Sequence, residues 1–175
     1  MKIIDAHHHL WQLSDLTWLS GPIQPRIFGN YDPIRRDYHV SEFIEDVKPH
    51  GVVASVYIQV NWPCGKEVAE ALWVHAVARN FDLPNAVIGY VDFSSENCRH
   101  IIEELAKLPL MRGIRQQLHW HQNPLYRFAT RPDIMMDSAW RNNFSLLQNF
   151  DWPFELQVFA SQMKNAAKLA SAFPE

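Results

Sequence analysis

Cysteine is scarce in this sequence, and the two that occur, Cys64 and Cys98, lie in unlike contexts. A disulfide framework or a zinc knuckle needs more cysteines at tighter spacing, which excludes both kinds of protein. Reduced thiols are typical of cytoplasmic proteins, and we therefore predict a cytoplasmic location.

The sequence also lacks a long apolar run and any block of like charges. Residues 1–11 contain no stretch long enough for a signal peptide or a membrane span. With 16 basic and 19 acidic side chains, the net charge of −3 does not favour a nucleic-acid-binding protein. We expect a soluble globular protein with neither a nucleic-acid nor a membrane partner. A chain of 175 residues, 47% of them hydrophobic, suffices for one buried core.

Short runs of apolar and β-branched residues alternate along the chain with helical patterns. These runs predict five strands, at residues 2–9, 52–60, 86–93, 111–118 and 153–159. Apolar residues recur at helical spacing in residues 69–77, 101–108 and 140–147. Asp137 or Ser138 is expected to cap the third of these helices, and Ser161 a last helix that ends near Ala172. This alternation indicates parallel βαβ units.

Two architectures accommodate five βα units: an open doubly wound sheet and part of an eight-stranded barrel. The first strand of a dinucleotide-binding sheet leads into a glycine-rich turn, whereas this one ends in three histidines. We therefore predict an α/β fold of the (β/α)8 TIM-barrel type, with residues 1–175 as a single domain. A whole barrel typically needs about 250 residues, so we expect only about the first five βα units, as in a fragment or a truncated reading frame.

A long irregular segment, residues 12–39, follows the first predicted strand. It contains three prolines and two glycines and shows little periodicity. Loops that follow the strands of a β/α barrel lie on its catalytic face, and irregular loops of this length are uncommon without a function. We interpret the segment as an active-site loop that covers the substrate; an ordinary packed insertion is the alternative.

The sharpest chemical feature is the sequence Asp5-Ala6-His7-His8-His9 at the end of the first strand. Alternate side chains of a strand point the same way, so His7 and His9 should face the barrel mouth and His8 should point away. Two imidazoles at the end of a strand can hold one cation, zinc foremost. Asp5 lies on the same face and could orient one imidazole. A chance run of histidines is the alternative.

Residues 4–11, Ile-Asp-Ala-His-His-His-Leu-Trp, resemble the opening strand of the amidohydrolase superfamily. More narrowly, they are similar to the branch that contains L-fuconolactonase, L-rhamnono-lactonase and 2-pyrone-4,6-dicarboxylate lactonase. The similarity continues at residues 17–19, 36–38, 57–60, 89–93, 112–115, 139–141 and 156–158. Many hydrolases share the H-x-H pair, whereas the ordered set of segments is much more specific.

The resemblance implies a hydrolase with the H-x-H pair beneath the scissile carbonyl. The superfamily also uses a histidine on strand five or six, and an aspartate on strand eight as the base; no sixth or eighth strand is expected here. The fourth predicted strand lacks the lysine that bridges two metals in binuclear members, and the fifth offers Gln157 in place of histidine. The lactonase branch tolerates both departures, so the resemblance is compatible with a divalent metal at His7 and His9 and also with a metal-free enzyme.

The function that the resemblance implies is hydrolysis of a sugar-acid lactone or a related cyclic ester by attack of water at the carbonyl. Its partner would then be a small-molecule substrate. A C–N hydrolase or a decarboxylase of the same superfamily is one alternative. A truncated, non-catalytic fragment or interaction module is another, and its unpaired sheet edges could promote self-association.

Four further residues are candidates for the site. Arg115, in the fourth strand, could act on a substrate carboxylate or carbonyl and is counted with His7 and His9 as catalytic; a salt bridge at the barrel rim is the alternative. Gln59 and Gln157 end the second and fifth strands and could bind substrate hydroxyls, or could be buried structural amides. Trp62 could form a wall of the pocket.

Three other polar residues fit structural roles better. Asp92 ends the third strand and is expected to cap the next helix rather than take part in catalysis. His119 and His121 form a second H-x-H pair after the fourth strand. We interpret them as ordinary loop residues, because a loop holds ligands less rigidly than a strand.

Overall fold

The computed structural model describes residues 1–174. These residues form five strands: β1 (Ile3–His8), β2 (Val52–Ile58), β3 (Ala86–Gly89), β4 (Met111–Gln117) and β5 (Phe154–Gln157). Six α-helices accompany them: α1 (Thr17–Ser20), α2 (Val40–Val47), α3 (Glu67–Phe81), α4 (Cys98–Ala106), α5 (Ser138–Phe144) and α6 (Met163–Ala172). Short 3-10 turns lie at Leu13–Asp15, Asp32–Ile34, Lys48–His50, Pro124–Tyr126, Ile134–Met136, Ser145–Asn149 and Ala160–Gln162. Within residues 1–174, no helix has both the length and the apolar character needed to cross a bilayer.

All five strands are parallel, and their order in the sheet is the order of the sequence, from β1 to β5. A doubly wound sheet reverses its strand order at one point, and this sheet does not. Consecutive parallel strands joined through helices are the arrangement of a (β/α)8 barrel, of which these are five units. The predicted fold class is therefore confirmed.

The core lies between the outer face of the sheet and the helices. Its largest fully buried side chain is Trp140 of α5, whose ring stacks on Phe144 with centroids 4.9 Å apart. Phe93, which follows β3, meets the Trp140 ring edge-on at 5.3 Å. The Trp140 indole N–H donates to the side-chain oxygen of Gln116 at 3.0 Å, which fixes this helix to the end of β4. Side chains from the third and fourth units thus pack together.

The third strand is shorter than its apolar pattern predicts. The ladder ends at Gly89, yet Val91 and Phe93 are fully buried. Their apolar character reflects burial in the core, and the chain turns because a carboxylate oxygen of Asp92 accepts the backbone N–H of Ser94 at 2.8 Å. An apolar run alone cannot distinguish a paired strand from a buried connection.

Two of the helix caps expected from the sequence belong to α5 and α6, and the structure confirms the one at α5. The Asp137 carboxylate accepts the backbone N–H of Trp140 at 3.0 Å and caps α5, as predicted. Ser161 does not cap α6, because it lies within the 3-10 turn Ala160–Gln162, and Gln162 is the N-cap residue. The chain therefore enters α6 through a tighter turn that needs no hydroxyl cap.

The segment of residues 12–39 is anchored to the barrel by a few specific contacts. Trp11 and Tyr38, at its two ends, exchange both backbone hydrogen bonds at 2.9 Å. The Trp18 indole N–H donates to the carbonyl of Val60 at 2.9 Å, just beyond β2. Arg35 donates from its guanidinium to the carbonyls of Leu19 and two residues that follow it. The segment is thus a folded element with its own helical turns.

Candidate active site

The three consecutive histidines at the end of β1, His7 and His8 within the strand and His9 directly after it, point to two different sides. The rings of His7 and His9 lie together, with centroids 5.0 Å apart and planes at 88°. The His8 ring stacks on Phe43 of α2 at 4.0 Å with planes 9° apart. The side chains keep this alternation although the pairing register between β1 and β2 shifts after Asp5. His7 is exposed and His9 is half-buried, whereas His8 belongs to the core.

A hydrogen bond to the neighbouring strand orients His9. Its Nδ1 lies 2.8 Å from the carbonyl oxygen of Ile58 at the end of β2. A carbonyl can only accept, so Nδ1 carries the proton and Nε2 keeps its lone pair. Burial lowers the pKa of His9 to about 4, so the ring is neutral at pH 7. A neutral imidazole oriented through its other nitrogen is the usual form of a histidine metal ligand.

These two imidazoles fit two positions of a divalent cation site but do not complete one. A catalytic zinc generally has three protein ligands. Within residues 1–174, no group of three or more His, Cys, Asp or Glu side chains could hold a metal ion. The Asp5 carboxylate, expected to orient an imidazole, instead accepts the backbone N–H of His7 at 3.0 Å. Residues 1–174 thus do not complete a catalytic zinc site by themselves.

A cavity of about 620 Å³ opens at the carboxyl ends of the strands beside His9. Its polar lining comes mainly from strand ends and the residues after them: His9, Gln59, Asn61, Arg115, Gln117 and Gln157. Its apolar lining comes mainly from the connecting loops and includes Trp18, Ile27, Phe28, Trp62, Leu125 and Phe128. Arg115 and Arg26 line it as well, but no carboxylate of residues 1–174 does. The cavity is therefore electropositive and suits an oxygen-rich or anionic group.

Arg115 lies at one end of a row of hydrogen-bonded side chains in the polar part of the cavity. It donates to the Gln157 side-chain oxygen at 3.0 Å, and Gln117 donates to the same oxygen at 3.1 Å. Asn61 donates in turn to Gln117 at 2.8 Å. Burial lowers the pKa of Arg115, and within residues 1–174 no carboxylate lies in salt-bridge range of its guanidinium. The rim salt bridge that was the alternative interpretation is thus absent from residues 1–174.

Gln59 and Trp62, two other predicted site residues, both line the cavity. The Gln59 side-chain oxygen accepts the backbone N–H of Asn61 at 2.6 Å and holds a tight turn, in which Asn61 has a φ of 59°. The Gln59 amide nitrogen and the Trp62 indole nitrogen are buried without a hydrogen-bond partner in residues 1–174. Gln59 thus has at least a structural role, as the alternative interpretation held.

His119 lies in the cavity wall, although the sequence favoured an ordinary loop position. It is 2% exposed, and its ring packs against Phe128 with centroids 4.7 Å apart and against Phe159 at 5.2 Å. Burial, and then the charge of Arg115, lower the pKa of His119. His121 does not line this cavity, and its Nδ1 accepts the backbone N–H of Asn123 at 3.0 Å. The two members of this second H-x-H pair therefore have different environments.

Asp92 does not cap α4, in contrast to the sequence expectation. The N-cap of α4 is Asn97, several residues later. The Asp92 carboxylate instead accepts from Ser94 N–H and from the Gln116 amide at 2.9 Å. It therefore links the end of β3 to β4 next to the cavity.

A buried carboxylate behind the cavity wall carried no signal in the sequence. Glu70 of α3 is 3% exposed, and one of its oxygens accepts both the Tyr57 hydroxyl at 2.8 Å and the Val60 N–H at 2.7 Å. Burial raises the pKa of Glu70 to about 7 against the effect of these hydrogen bonds. It holds the turn that follows β2, to which Trp18 is also bound. In the sequence Glu70 is simply an acidic residue of an amphipathic helix.

The sequence profile of the amidohydrolase family matches residues 4–175, and the chain therefore belongs to this family. Uncharacterised protein y4mH of Sinorhizobium fredii is 30% identical over all of this chain and 60% of its own length. L-fucono-1,5-lactonase of Burkholderia ambifaria is 28% identical over 78% of this chain and 46% of its own length. The chain thus spans about half to three-fifths of the curated relatives that it matches.

Solved structures show the same fold. An amidohydrolase of Burkholderia multivorans with bound zinc superimposes with a TM-score of 0.70 at 19% identity, over 97% of this chain and 53% of that one. A probable 2-pyrone-4,6-dicarboxylic acid hydrolase of Acinetobacter baumannii with bound citric acid gives 0.59 at 16% identity, over 89% and 49%. Amidohydrolase 2 of Bifidobacterium longum subsp. infantis gives 0.63 at 17% identity, over 99% and 58%. The five strands thus correspond to about half of each of these barrels.

Proposed function

We propose that this chain carries the first part of the active site of a hydrolase that opens a lactone or related cyclic ester. The observation that carries the proposal is the pair His7 and His9 at the end of β1, beside a cavity with an unpaired guanidinium. The similarity to an L-fucono-1,5-lactonase over most of the chain supports the choice of a cyclic ester.

His7 and His9 are the proposed metal ligands and lie beneath the scissile carbonyl. The proton on His9 Nδ1 is engaged by Ile58, which leaves Nε2 as the free donor of an electron pair. A divalent cation, zinc foremost, would supply Lewis-acid polarisation of a carbonyl oxygen and of water in such a site. The zinc bound in the Burkholderia multivorans amidohydrolase supports this choice of ion.

Arg115 is the proposed electrostatic partner of the substrate. Its remaining N–H groups would donate to the carbonyl oxygen, which gains negative charge when water adds, or to a neighbouring carboxylate. Gln59, Gln157 and Trp62 would bind the rest of the ring. The segment of residues 12–39 would cover it, because Trp18 of this segment lines the cavity.

In the proposed reaction, water adds to the carbonyl carbon and the ring carbon–oxygen bond breaks. The proton lost by water ends on the released ring oxygen, which gives a hydroxy acid. The reaction requires a base to accept that proton first. No carboxylate of residues 1–174 lines the cavity, so the proposal assigns this role to none of them.

The test uses the protein purified from the organism that produces it, together with any chain that co-purifies. We call this sample the native protein. It is assayed against a panel of five- and six-membered lactones, with and without added Zn²⁺. We expect lactone opening that a His9→Ala substitution abolishes. Cleavage of amides or release of CO₂ without lactone opening would place the protein in another class of its superfamily. A lack of turnover in every assay would identify a non-catalytic module.

A further inference from the structure

Four exposed apolar side chains from two loops lie at the rim of the cavity, where the same loops also contribute Arg26 and Tyr126 to its lining. Ile27 and Phe28, from the segment after β1, are 48% and 61% exposed. Leu125 and Phe128, from the loop after β4, are 43% and 47% exposed. All four line the same cavity. Single exposed apolar residues are ordinary, but a group that meets around one opening marks a binding surface.

Packing beneath the rim holds its aromatic members in place. The Phe28 ring meets Tyr31 edge-on at 5.9 Å, and Tyr31 is buried, with its hydroxyl accepting the Gln24 N–H at 2.8 Å. On the other side, Phe128 packs on His119, and its backbone N–H donates to the His119 carbonyl at 2.9 Å. The apolar rim is therefore preformed, and a ligand that contacts it loses little free energy in ordering these rings.

The rim and the strand ends differ in what they can bind. The strand-end side carries Arg115 and a row of amides, whereas Ile27 and Leu125 offer neither a hydrogen bond nor a flat ring to a ligand. A hydroxyl held against such side chains loses its water without gaining a partner, which is unfavourable. An alkyl or aryl group in the same place is favoured, because its apolar surface leaves water.

We infer that the site takes lactones that carry an aliphatic or aromatic substituent, with the lactone ring at Arg115 and the substituent against Ile27, Phe28, Leu125 and Phe128. This inference rests on the proposed function for the reaction, and it names the substrate class of the same site. A polyhydroxylated sugar lactone, with a hydroxyl at nearly every carbon, fits the rim poorly.

The first test compares kcat/KM of the native protein over a series of γ-lactones whose side chain grows from methyl to hexyl. A methylene buried against the rim is worth about 0.8 kcal/mol, so kcat/KM should rise about fourfold for each added carbon until the rim is covered. A polyhydroxylated γ-lactone is the comparison substrate and should fall below the hexyl compound. A flat series, or a preference for the polyhydroxylated lactone, would overturn the inference.

Substitutions at the rim locate the effect. Phe28→Ala and Leu125→Ala should each lower kcat/KM for the hexyl lactone by about tenfold and leave the methyl lactone nearly unchanged. Leu72→Ala and Phe81→Ala are the controls, because these side chains are similarly exposed and do not line this cavity. Equal losses in rim and control variants would count against a role for the rim.

A binding measurement separates this inference from the proposed reaction. Octanoate and butyrate, which cannot be hydrolysed, are titrated into the native protein and into Phe28→Ala, and the change in tryptophan fluorescence is followed. If octanoate binds more tightly than butyrate and this difference depends on Phe28, the result would support binding of an alkyl group at the rim even if no lactone were opened. Lactone opening with equal binding of the two acids would keep the proposed function and reject the apolar substrate class.

Discussion

At the scale of single residues, the hydrogen bond from His9 to Ile58 determines which imidazole nitrogen is free. It joins β1 to β2 and turns the ring so that Nε2 is the nitrogen available to a ligand. His8, one residue earlier, is the contrasting case: both its ring nitrogens are buried without a partner in residues 1–174, and burial lowers its pKa to about 4. Adjacent histidines thus have separate roles because a strand alternates.

Replacing either His7 or His9 should remove activity. We expect His7→Ala or His9→Ala to lower kcat/KM of the native protein for its lactone by at least about a hundredfold, because each would remove an interaction that stabilises the transition state. Zinc content, measured on the same samples, should fall as well. His100→Ala, an exposed histidine of α4, is the control. Near-normal turnover in His7→Ala or His9→Ala would exclude the proposed role for that residue.

The guanidinium of Arg115 should be hard to replace, even by another cation. Lysine has a single ammonium group and cannot bind both Gln157 and a substrate oxygen with the same planar geometry. We expect Arg115→Lys to lower kcat/KM about tenfold or more, since hydrogen bonds to charged groups contribute about 1.5–3 kcal/mol. The matched control is Arg112→Lys, because Arg112 is exposed on the same strand and bonds only to nearby carbonyls. Equal effects at both positions would argue against substrate contact.

The site could be predicted from the sequence where a strand dictates direction. The opposite orientations of His8 and the His7–His9 pair follow from alternation alone, and Arg115, Gln59, Gln157 and Trp62 line the cavity because they stand at or just after strand ends. His119 could not be placed in this way. The direction of its side chain depends on contacts with Phe128 and Phe159, which are separated from it in the sequence but close in space.

At the scale of elements, the coupling between α3 and β2 rests on one buried carboxyl group. Glu70 bonds to Tyr57 within β2 and to Val60 just after it. Val60 in turn accepts the Trp18 indole from the segment of residues 12–39. One helix residue therefore holds both the turn beside the cavity and, through it, part of the covering segment.

This carboxyl group should make stability depend on pH. Burial raises the folded-state pKa of Glu70 to about 7 from 4.5, so its stabilising contribution is complete below about pH 4.5 and is lost as pH rises through 7. Glu70→Gln should lack this loss. The free energy of unfolding of the native protein, minus that of Glu70→Gln, should therefore fall by up to about 3 kcal/mol between pH 4.5 and pH 8.

The difference in the free energy of unfolding between the two proteins separates the contribution of Glu70 from that of groups whose contributions change with pH in the opposite direction. His8 and His9 have pKa values lowered to about 4, so their contribution is lost as pH falls from 6.5 towards 4, equally in both proteins. Tyr57 and Glu67 are the other titratable groups that act on Glu70, and both remain in the variant. Urea unfolding at each pH measures the difference. A difference that does not change with pH would show that Glu70 keeps an ordinary pKa.

At the scale of the whole molecule, five parallel strands leave two unpaired edges. Within residues 1–174, β1 pairs only with β2, and β5 only with β4. Unpaired backbone groups at the edge of a sheet are a template for another strand. A groove next to β5, lined by Phe144, Leu147, Phe154 and Leu169, is apolar as well. The chain covers 53% and 49% of two of the matched solved structures.

We therefore predict that residues 1–175, expressed without partners, self-associate or aggregate and do not hydrolyse lactones. The physical reasons are the open edges of β1 and β5 and the lack, among residues 1–174, of a carboxylate that lines the cavity. Light scattering after size-exclusion chromatography gives the mass, and thermal unfolding gives the cooperativity. A monodisperse monomer with a cooperative transition would contradict the prediction. If that monomer also opened lactones, Asp92 would be the first carboxylate to replace.

The fold was easier to predict than its boundaries. The alternation of patterns and the absence of a glycine-rich turn after β1 lead to the barrel, because strand order follows from the type of connection. The end of β3 was misplaced, because Val91 and Phe93 are buried for packing and not for pairing. The capping of α6 was also misplaced, since a 3-10 turn takes the position where Ser161 would have acted.

The consecutive order of the strands has a consequence for how the chain is assembled. Each strand after β1 pairs with the one made just before it, so its partner has already left the ribosome when it emerges. Pairing between neighbouring units keeps the paired strands closer in sequence than pairing between the first and last units would, and a lower contact order favours faster folding. The sheet can therefore grow one unit at a time during translation. His9, directly after β1, gains the carbonyl of Ile58 as its hydrogen-bond partner as soon as the second unit is in place.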